Sequence, residues 1–406
     1  MQATEASLPI ETFSFSGAPL QSEQRPAAGL QESPSSETPF ESAEQQYEFF
    51  RTLIGRPAFM PWKEIVGKAQ QERVTDVIFN CGKLYLRLIG DLELAPDEFQ
   101  PSPANCEKAL ISTIPHERHL LELMSEKGAT DFGVTIEGMR MRGNVFKELQ
   151  GLNGVFRPIP EDVLPDEMLM LDEKVVDIAS KSKQGLVLVT GATGSGKSAT
   201  VVALLEKINQ SRKYNIITIE DPIEYIFTPK GCVFSQREIG AHAESFDSAL
   251  RSAMRQNPDV IFVGEIRDYP TMAAALKAAE TGHLVFATLH TRRVYTTLNR
   301  LIQMAPAGER DAIRDALAQN ILIILCQGLL KRKGGQGLIP CREVAIRNNA
   351  LISCIMTGKV RDINNVMIGS RPLGMLDWNN ALKILVQKEL ITEVEAALYK
   401  DKETDV

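Results

Sequence analysis

The sequence predicts an α/β protein: a parallel-sheet domain joined to a smaller α+β domain. Three observations predict it. From about residue 165 to 310, short apolar runs alternate with loops and helical segments, the pattern of a largely parallel sheet covered on both faces. Residues 47–160 instead mix brief alternating runs with two stretches of helical spacing. Residues 1–46 show no periodicity and are rich in Ser, Glu, Pro, Gln and Ala. The expected organisation is a disordered acidic tail (1–46), an α+β domain (47–160), a parallel-sheet core (161–310) and a mostly helical C-terminal part (311–406).

Charge is distributed unevenly. The net charge is −7, and residues 1–46, with seven Glu and one Arg, hold −6 of it. The remaining 360 residues are nearly neutral, so no global basic field points to nucleic acid. The six cysteines, at 81, 106, 232, 326, 341 and 354, form no CxxC pair and argue against a zinc ribbon. They read as reduced thiols of a cytoplasmic protein. No basic patch followed by an apolar run marks a signal peptide at the N-terminus. The longest apolar stretch, ILIILCQGLL at 321–330, falls short of the ~20 residues that span a bilayer. Any membrane role would pass through a partner. Within the tail, Phe13 and Phe15 mark a candidate docking peptide.

In the smaller domain, VTDVIFN and KLYLRLIGDL alternate around Cys81-Gly82 and read as a hairpin. NCEKALISTI and HERHLLELMSEK have helical spacing, and GVTIEG, RMRGNVF and VFRPIP read as further strands. In the core, GLVLVTG, NIITIED, DVIFVGE and HLVFATLH read as strands. SATVVALLEKINQ, SFDSALRSAMRQ and TMAAALKAAETG read as the helices between them. Beyond residue 308 the pattern is mostly helical, broken by a hairpin near KRKGGQGLIPCREVAI.

GATGSGKS, 191–198, matches GxxxxGK[ST], comes after an apolar strand and opens a helix, the context a phosphate loop requires. Gly191, Ala192, Thr193, Gly194, Ser195 and Gly196 would fold backbone N–H groups around phosphate oxygens, and the helix N-terminus adds partial positive charge. Lys197 would reach the outer phosphates of ATP, and Ser198 would ligate Mg²⁺.

Ligands of a parallel sheet sit beyond the carboxyl ends of its strands. The strand NIITI runs into Glu220-Asp221-Pro222-Ile223-Glu224, VIFV into Gly264-Glu265-Ile266-Arg267-Asp268, and LVFATL into His290. Glu265 stands where an acid would hold Mg²⁺ or its water, so Ser198 and Glu265 are the expected metal positions. Glu224 would orient or deprotonate an attacking water, and His290 would contact the γ-phosphate. His283 opens the strand that His290 closes. Seven residues of strand separate them by roughly 23 Å on opposite faces, so one metal cannot take both. A structural hydrogen bond is the plain alternative for His283.

Together these stretches resemble the ATPase family that powers type IV pili, type II secretion and type IV secretion. TGATGSGKS looks like its Walker A box, TIEDPIEY like its Asp box, NPDVIFVGEIRD like its Walker B box and TGHLVFATLH like its His box. QREIG, AETGHLVF and LGMLDW carry a finer match to the PilT branch and to the related DotB and TraJ ATPases of secretion and conjugation. The resemblance implies a RecA-like P-loop domain behind a PAS-like N-terminal domain, in a homo-hexamer. It implies ATP and Mg²⁺ as ligands and inner-membrane platform proteins as partners, with the ring at the cytoplasmic side. It implies Glu224 as the catalytic carboxylate, Glu265 as the Walker B acid and His290 near the γ-phosphate. Arginines of the N-terminal domain close over the nucleotide in such a ring; Arg142 and Arg157 are the candidates, with Arg140 behind them.

The scattered cysteines differ from the assembly-type members, which carry a tetracysteine zinc site. NALISCIMTGKV stands where retraction motors carry AIRNLIRE, which favours secretion or conjugation over pilus retraction. An ATP-binding scaffold without turnover and a DNA translocase are the rival readings.

Overall fold

The structure, a computed structural model, describes residues 74–400 except 81, 89–90, 98–99, 101–109, 112, 115–123, 125–126, 160–162 and 336. The expected acidic tail, with Phe13 and Phe15, lies outside the described residues. So do most positions of the two helices expected over NCEKALISTI and HERHLLELMSEK.

The smaller unit is an antiparallel sheet of β1 (Val74–Asn80), β2 (Lys83–Leu88), β3 (Asp91–Leu94), β4 (Ala129–Ile136), β5 (Met139–Glu148) and β6 (Gly151–Pro158), in the order β3-β2-β1-β6-β5-β4. One face buries Val77, Phe79, Leu86, Met141, Val145 and Phe156, with Leu110, Ile114 and Met124 packed in the same core. Phe156 meets Phe79 and Phe132 edge-on at centroid distances of 5.8 and 6.3 Å, a favoured quadrupole geometry. Strand period two then decides where the arginines go. In β5 the buried Met139, Met141 and Val145 alternate with Arg140, Arg142 and Asn144, so both arginines share the face opposite the core. Arg142 sits directly across from Arg157 of β6.

The larger sheet contains β7 (Gly185–Thr190), β8 (Asn215–Glu220), β9 (Val233–Glu238), β10 (Val260–Val263), β11 (Leu284–Leu289), β12 (Ile321–Lys331) and β13 (Leu338–Ile346). Its order is β13-β12-β7-β11-β10-β8-β9, parallel throughout except for the β12–β13 pair. Every residue of β7, β10 and β11 is buried, because helices cover both faces. These are α1 (Glu173–Lys181), α2 (Lys197–Ser211), α3 (Phe246–Ala253), α4 (Tyr269–Glu280), α5 (Val294–Met304) and α6 (Arg310–Asn320), all contributing to one core. The C-terminal helices are α7 (Asn349–Met356), α8 (Ile363–Gly369), α9 (Trp378–Gln387) and α10 (Glu393–Tyr399).

Two elements depart from the expectations of the sequence. The hairpin expected near KRKGGQGLIPCREVAI is present, but its first strand begins earlier, at Ile321, and both strands belong to the main sheet, where β12 lies directly beside the phosphate-loop strand β7. ILIILCQGLL is apolar on both sides because both sides are buried, and periodicity cannot distinguish such a run from a buried helix. Strand β9 has no counterpart among the expected strands. It is a sheet edge with the mixed exposure of VFSQRE, so it carries no continuous apolar signal. The thiols of Cys232, Cys326, Cys341 and Cys354 are free.

Candidate nucleotide site

Parallel register aligns the carboxyl ends of β7, β11, β10 and β8, so the segments after them share one edge. The loop after β7 leads into α2 through Gly196, whose φ of 81° is left-handed and whose position as N-cap brings no side-chain cap. Ser245 and Asp268 cap α3 and α4 with their side chains. The free N–H groups of the first turn of α2 thus stay available to an anion. At Gly191 a Cβ would sit 2.3 Å from the Gln327 carbonyl oxygen and 2.4 Å from Ser195 Oγ, so only glycine lets the loop close against β12.

Lys197 is buried, and its Nζ donates to the carbonyls of Gly191 at 2.9 Å and Ala192 at 3.0 Å. Burial lowers its pKa, while the carboxylates of Glu265 and Glu224 pull the other way. His290 stands between loop and acid. Its Nδ1 is 3.4 Å from Thr193 Oγ1 and 3.5 Å from Lys197 Nζ, and its Nε2 is 3.1 Å from Glu265 Oε1. An ammonium beside Nδ1 and a carboxylate beside Nε2 suit the neutral tautomer that carries its proton on Nε2.

Glu265 is shared further: Arg267 Nε donates to its Oε2 at 2.7 Å, and the same guanidinium reaches Asp221 Oδ2 at 2.9 Å through Nη1. Arg267 therefore ties the Walker B turn to the Asp box, a role that sequence reasoning misses although the residue lies inside the quoted motif. Glu220, at the end of β8, is buried; it accepts from Thr218 Oγ1 at 2.6 Å, and the Glu224 N–H lies 3.5 Å from its Oε2. Burial pushes its carboxyl up to about 7 against that hydroxyl.

The structure thus brings together Thr193, Lys197, Glu265 and His290, with Glu224 close enough for its charge to act on Lys197. It does not bring Arg142 or Arg157 to them. Arg157 Nε and Nη2 bind Asp76 Oδ1 at 2.9 and 2.8 Å, and Arg142 is exposed with no ion pair among the described residues. Arg140 is the arginine that crosses to the nucleotide domain, where its Nη2 pairs with Glu238 Oε2 at 3.0 Å. His283 is half-buried at the far end of β11 and donates from Nδ1 to the Ala278 carbonyl at 2.9 Å, closing the C-terminus of α4. Behind the loop, Gln327 Nε2 donates to the Ser195 carbonyl at 2.6 Å, and Arg342 Nε donates to Gln327 Oε1 at 2.7 Å.

These residues fit a triphosphate. The uncapped helix start and Lys197 supply the positive field, and Ser195 Oγ is buried without a protein partner. They also fit a hard divalent cation, since Ser198 and Glu265 offer oxygen donors. Among the described residues no group of three or more His, Cys, Asp or Glu side chains could cage a metal by itself. Such an ion would rest on Ser198, Glu265 and the phosphates together.

A parallel sheet, a phosphate loop and acids at successive strand ends define a P-loop ATPase. The chain belongs to the family described as "Type II/IV secretion system protein", matched over residues 166–371, and within it the chain is a PilT-like secretion ATPase. It is 42% identical over 268 residues to the "Type IV pilus retractation ATPase PilT" of Pseudomonas aeruginosa, covering 66% of this chain and 77% of that protein. Among solved structures it is similar to the pilus retraction motor PilT with bound ADP, at 35% identity and a TM-score of 0.77 over 84% of this chain and 98% of that one. The DotB ATPase of Legionella pneumophila shares the fold, with a TM-score of 0.70 at 23% identity over 85% of this chain and 96% of that one. Among the described residues no helix is long and apolar enough to cross a membrane.

Proposed function

We propose that this chain works as a Mg²⁺-dependent ATP-driven motor in a ring of six identical subunits, docked at the cytoplasmic side of an inner-membrane platform of the type IV pilus or secretion kind. The observation that carries the reading is the convergence of three strand ends on Lys197. His290 lies 3.5 Å from its ammonium, Glu265 is bound to His290, and the charges of Glu265 and Glu224 act on it. Phosphoryl transfer to water needs little covalent chemistry, so positioning and charge carry it.

In this reading Gly191, Ala192, Thr193, Gly194, Ser195 and Gly196 wrap the phosphates with backbone N–H groups. Lys197 leaves the loop carbonyls for the β- and γ-phosphates, and His290 and Thr193 bound the γ-phosphate side. Mg²⁺, held through Ser198 and Glu265, would neutralise charge on the phosphate oxygens. Glu224 aligns the attacking water and accepts its proton. Arg142 and Arg157 close over the γ-phosphate when the N-terminal sheet swings in, and Arg157 exchanges Asp76 for phosphate. Loss of that phosphate releases them, which makes domain rotation a two-state element set by one group.

The identity to pilus-retraction ATPases supports a pilus platform. A second reading, type IV secretion or conjugative transfer, is favoured by NALISCIMTGKV, whose sequence departs from the retraction motif AIRNLIRE. Steady-state turnover that rises more than linearly with protein concentration supports the ring, and a monomer holding unhydrolysed ATP overturns it. Glu224→Gln is expected to bind ATP and lose turnover; wild-type turnover in that variant removes Glu224 from the role.

A further inference from the structure

Glu238 ends β9 beside Glu220, its register partner on β8, and lies outside the four boxes that carry the nucleotide chemistry. It is buried, and each of its contacts points to one place. Oε2 accepts from the Ile223 N–H at 3.0 Å and from Arg140 Nη2 at 3.0 Å; Oε1 accepts from the Gly133 N–H at 3.4 Å. The Arg140 Nε then donates to the Ile223 carbonyl at 3.3 Å. One ion pair therefore holds both backbone polar groups of Ile223, the residue that precedes Glu224. Two of its three anchoring groups, Gly133 and Arg140, belong to the N-terminal sheet.

The arrangement is built for this contact. The side chains of Arg140 and Glu238 are only 17% and 11% exposed, so each charge depends on the other for its solvation. The turn after β9 is closed by His242, whose Nδ1 accepts from the Glu238 N–H at 3.0 Å and whose own N–H donates to the Glu238 carbonyl at 2.8 Å. At Gly133 a Cβ would stand 2.1 Å from Arg140 Nη2, so glycine opens the path by which the guanidinium crosses.

We propose that Glu238 and Arg140 are positioning residues for Glu224: the docked β4–β5 edge clamps the Ile223 backbone and sets the carboxylate for water activation, and undocking frees it. Hydrolysis is thereby coupled to the position of the N-terminal sheet through the catalytic loop itself, besides any contact of arginines with phosphate. This rests on the reading of Glu224 as the catalytic carboxylate.

The test compares four variants of the full chain by kcat, KM, binding of a fluorescent ATP analogue and melting temperature. Glu238→Gln keeps an oxygen for Ile223 N–H and removes only the charge pair. Arg140→Gln removes the carbonyl grip, and Gly133→Ala displaces Arg140 without touching a charge. Each is expected to lower kcat by about 10- to 100-fold, the scale of an ångström-size misplacement, with analogue affinity within about threefold of wild type. Gly133→Ala combined with Arg140→Gln should lose no more than Arg140→Gln alone, since both act through one contact. Arg140→Gln, nearest the rim, carries the test should Glu238→Gln melt early. Wild-type kcat in Arg140→Gln, or additive losses in the pair, overturns the proposal. Glu224→Gln is the reference. If it is inactive while Arg140→Gln is normal, only this inference fails; if it turns over normally, the underlying assignment fails.

Discussion

His290 Nε2 stands 3.1 Å from Glu265 Oε1, so the residue closing β11 rests on the acid just past the end of β10. The same ring turns Nδ1 toward Thr193 and Lys197 of the phosphate loop. One imidazole thus links three chain segments at the site. Replacing it with Ala removes the link but leaves the loop backbone intact. His290→Ala is expected to lower kcat by about 10- to 100-fold, what a hydrogen bond to a charged group is worth at about 1.5–3 kcal/mol, and to change ATP affinity less. Comparable losses in kcat and affinity would instead mean that His290 holds the loop itself.

Arg267 joins Glu265 to Asp221, and its side chain is 52% exposed. Exposed ion pairs contribute about 0.5–1 kcal/mol or less, so Arg267→Ala should barely move thermal unfolding. Its fork nevertheless fixes two carboxylates at once, which a lysine cannot reproduce. Both Arg267→Ala and Arg267→Lys are expected to lose about tenfold in turnover, in keeping with the strength of paired charge-assisted hydrogen bonds. Restoration of full turnover by Lys would reduce Arg267 to a plain counter-charge.

Arg342 is buried, and its guanidinium binds neutral oxygens: the Leu169 carbonyl, the Met170 carbonyl at 3.1 Å, Gln327 Oε1 at 2.7 Å and Thr200 Oγ1 at 3.4 Å. Burial lowers its pKa to about 10. It fixes Gln327, which in turn holds the Ser195 carbonyl. Arg342→Met strands several buried acceptors, each costing about 1–3 kcal/mol, and is expected to lower the melting temperature clearly. Gln327→Leu should be milder for stability and weaken ATP binding by about tenfold, equivalent to about 1.4 kcal/mol, because the phosphate loop loses its support from β12. Calorimetric unfolding and titration with nucleotide separate the two effects.

The part of the site legible in the sequence is local. GATGSGKS, the two acid turns and His290 each come directly after an apolar strand, so strand ends and motif spacing place them. Glu238, Gln327 and Arg342 act across the fold: Gly133 and Glu238 are 105 residues apart, Ser195 and Gln327 are 132 apart, and Leu169 and Arg342 are 173 apart. Sheet order brings Gln327 beside the loop that follows β7, while packing across the two sheets brings Gly133 to Glu238 and packing of the chain before α1 brings Leu169 to Arg342; no period along the chain encodes any of these. The arginines show the same limit. Alternation in RMRGNVF puts Arg140 and Arg142 on one face, but only the packed structure shows that Arg140 reaches Glu238 while Arg157 stays with Asp76.

Glu220 should make stability depend on pH. Burial pushes its carboxyl up to about 7 from an ordinary value of 4.5, so the folded chain holds this proton more tightly than the unfolded one. Between those two values the native state binds the proton and the unfolded state does not. The stabilisation from this group is therefore full below about pH 4.5, declines as pH rises, and is spent above about 7. Glu220→Gln keeps a carbonyl oxygen for Thr218 and cannot ionise. Melting temperatures of the variant relative to wild type should climb from about pH 5 to about pH 8, as the wild type alone loses this contribution. The Glu224 N–H approaches the same carboxyl, so ionisation of Glu220 also places a second negative charge beside the loop of Glu224. A difference in melting temperature that stays flat across that window would mean that Glu220 keeps one charge state throughout, and that burial does not govern its proton.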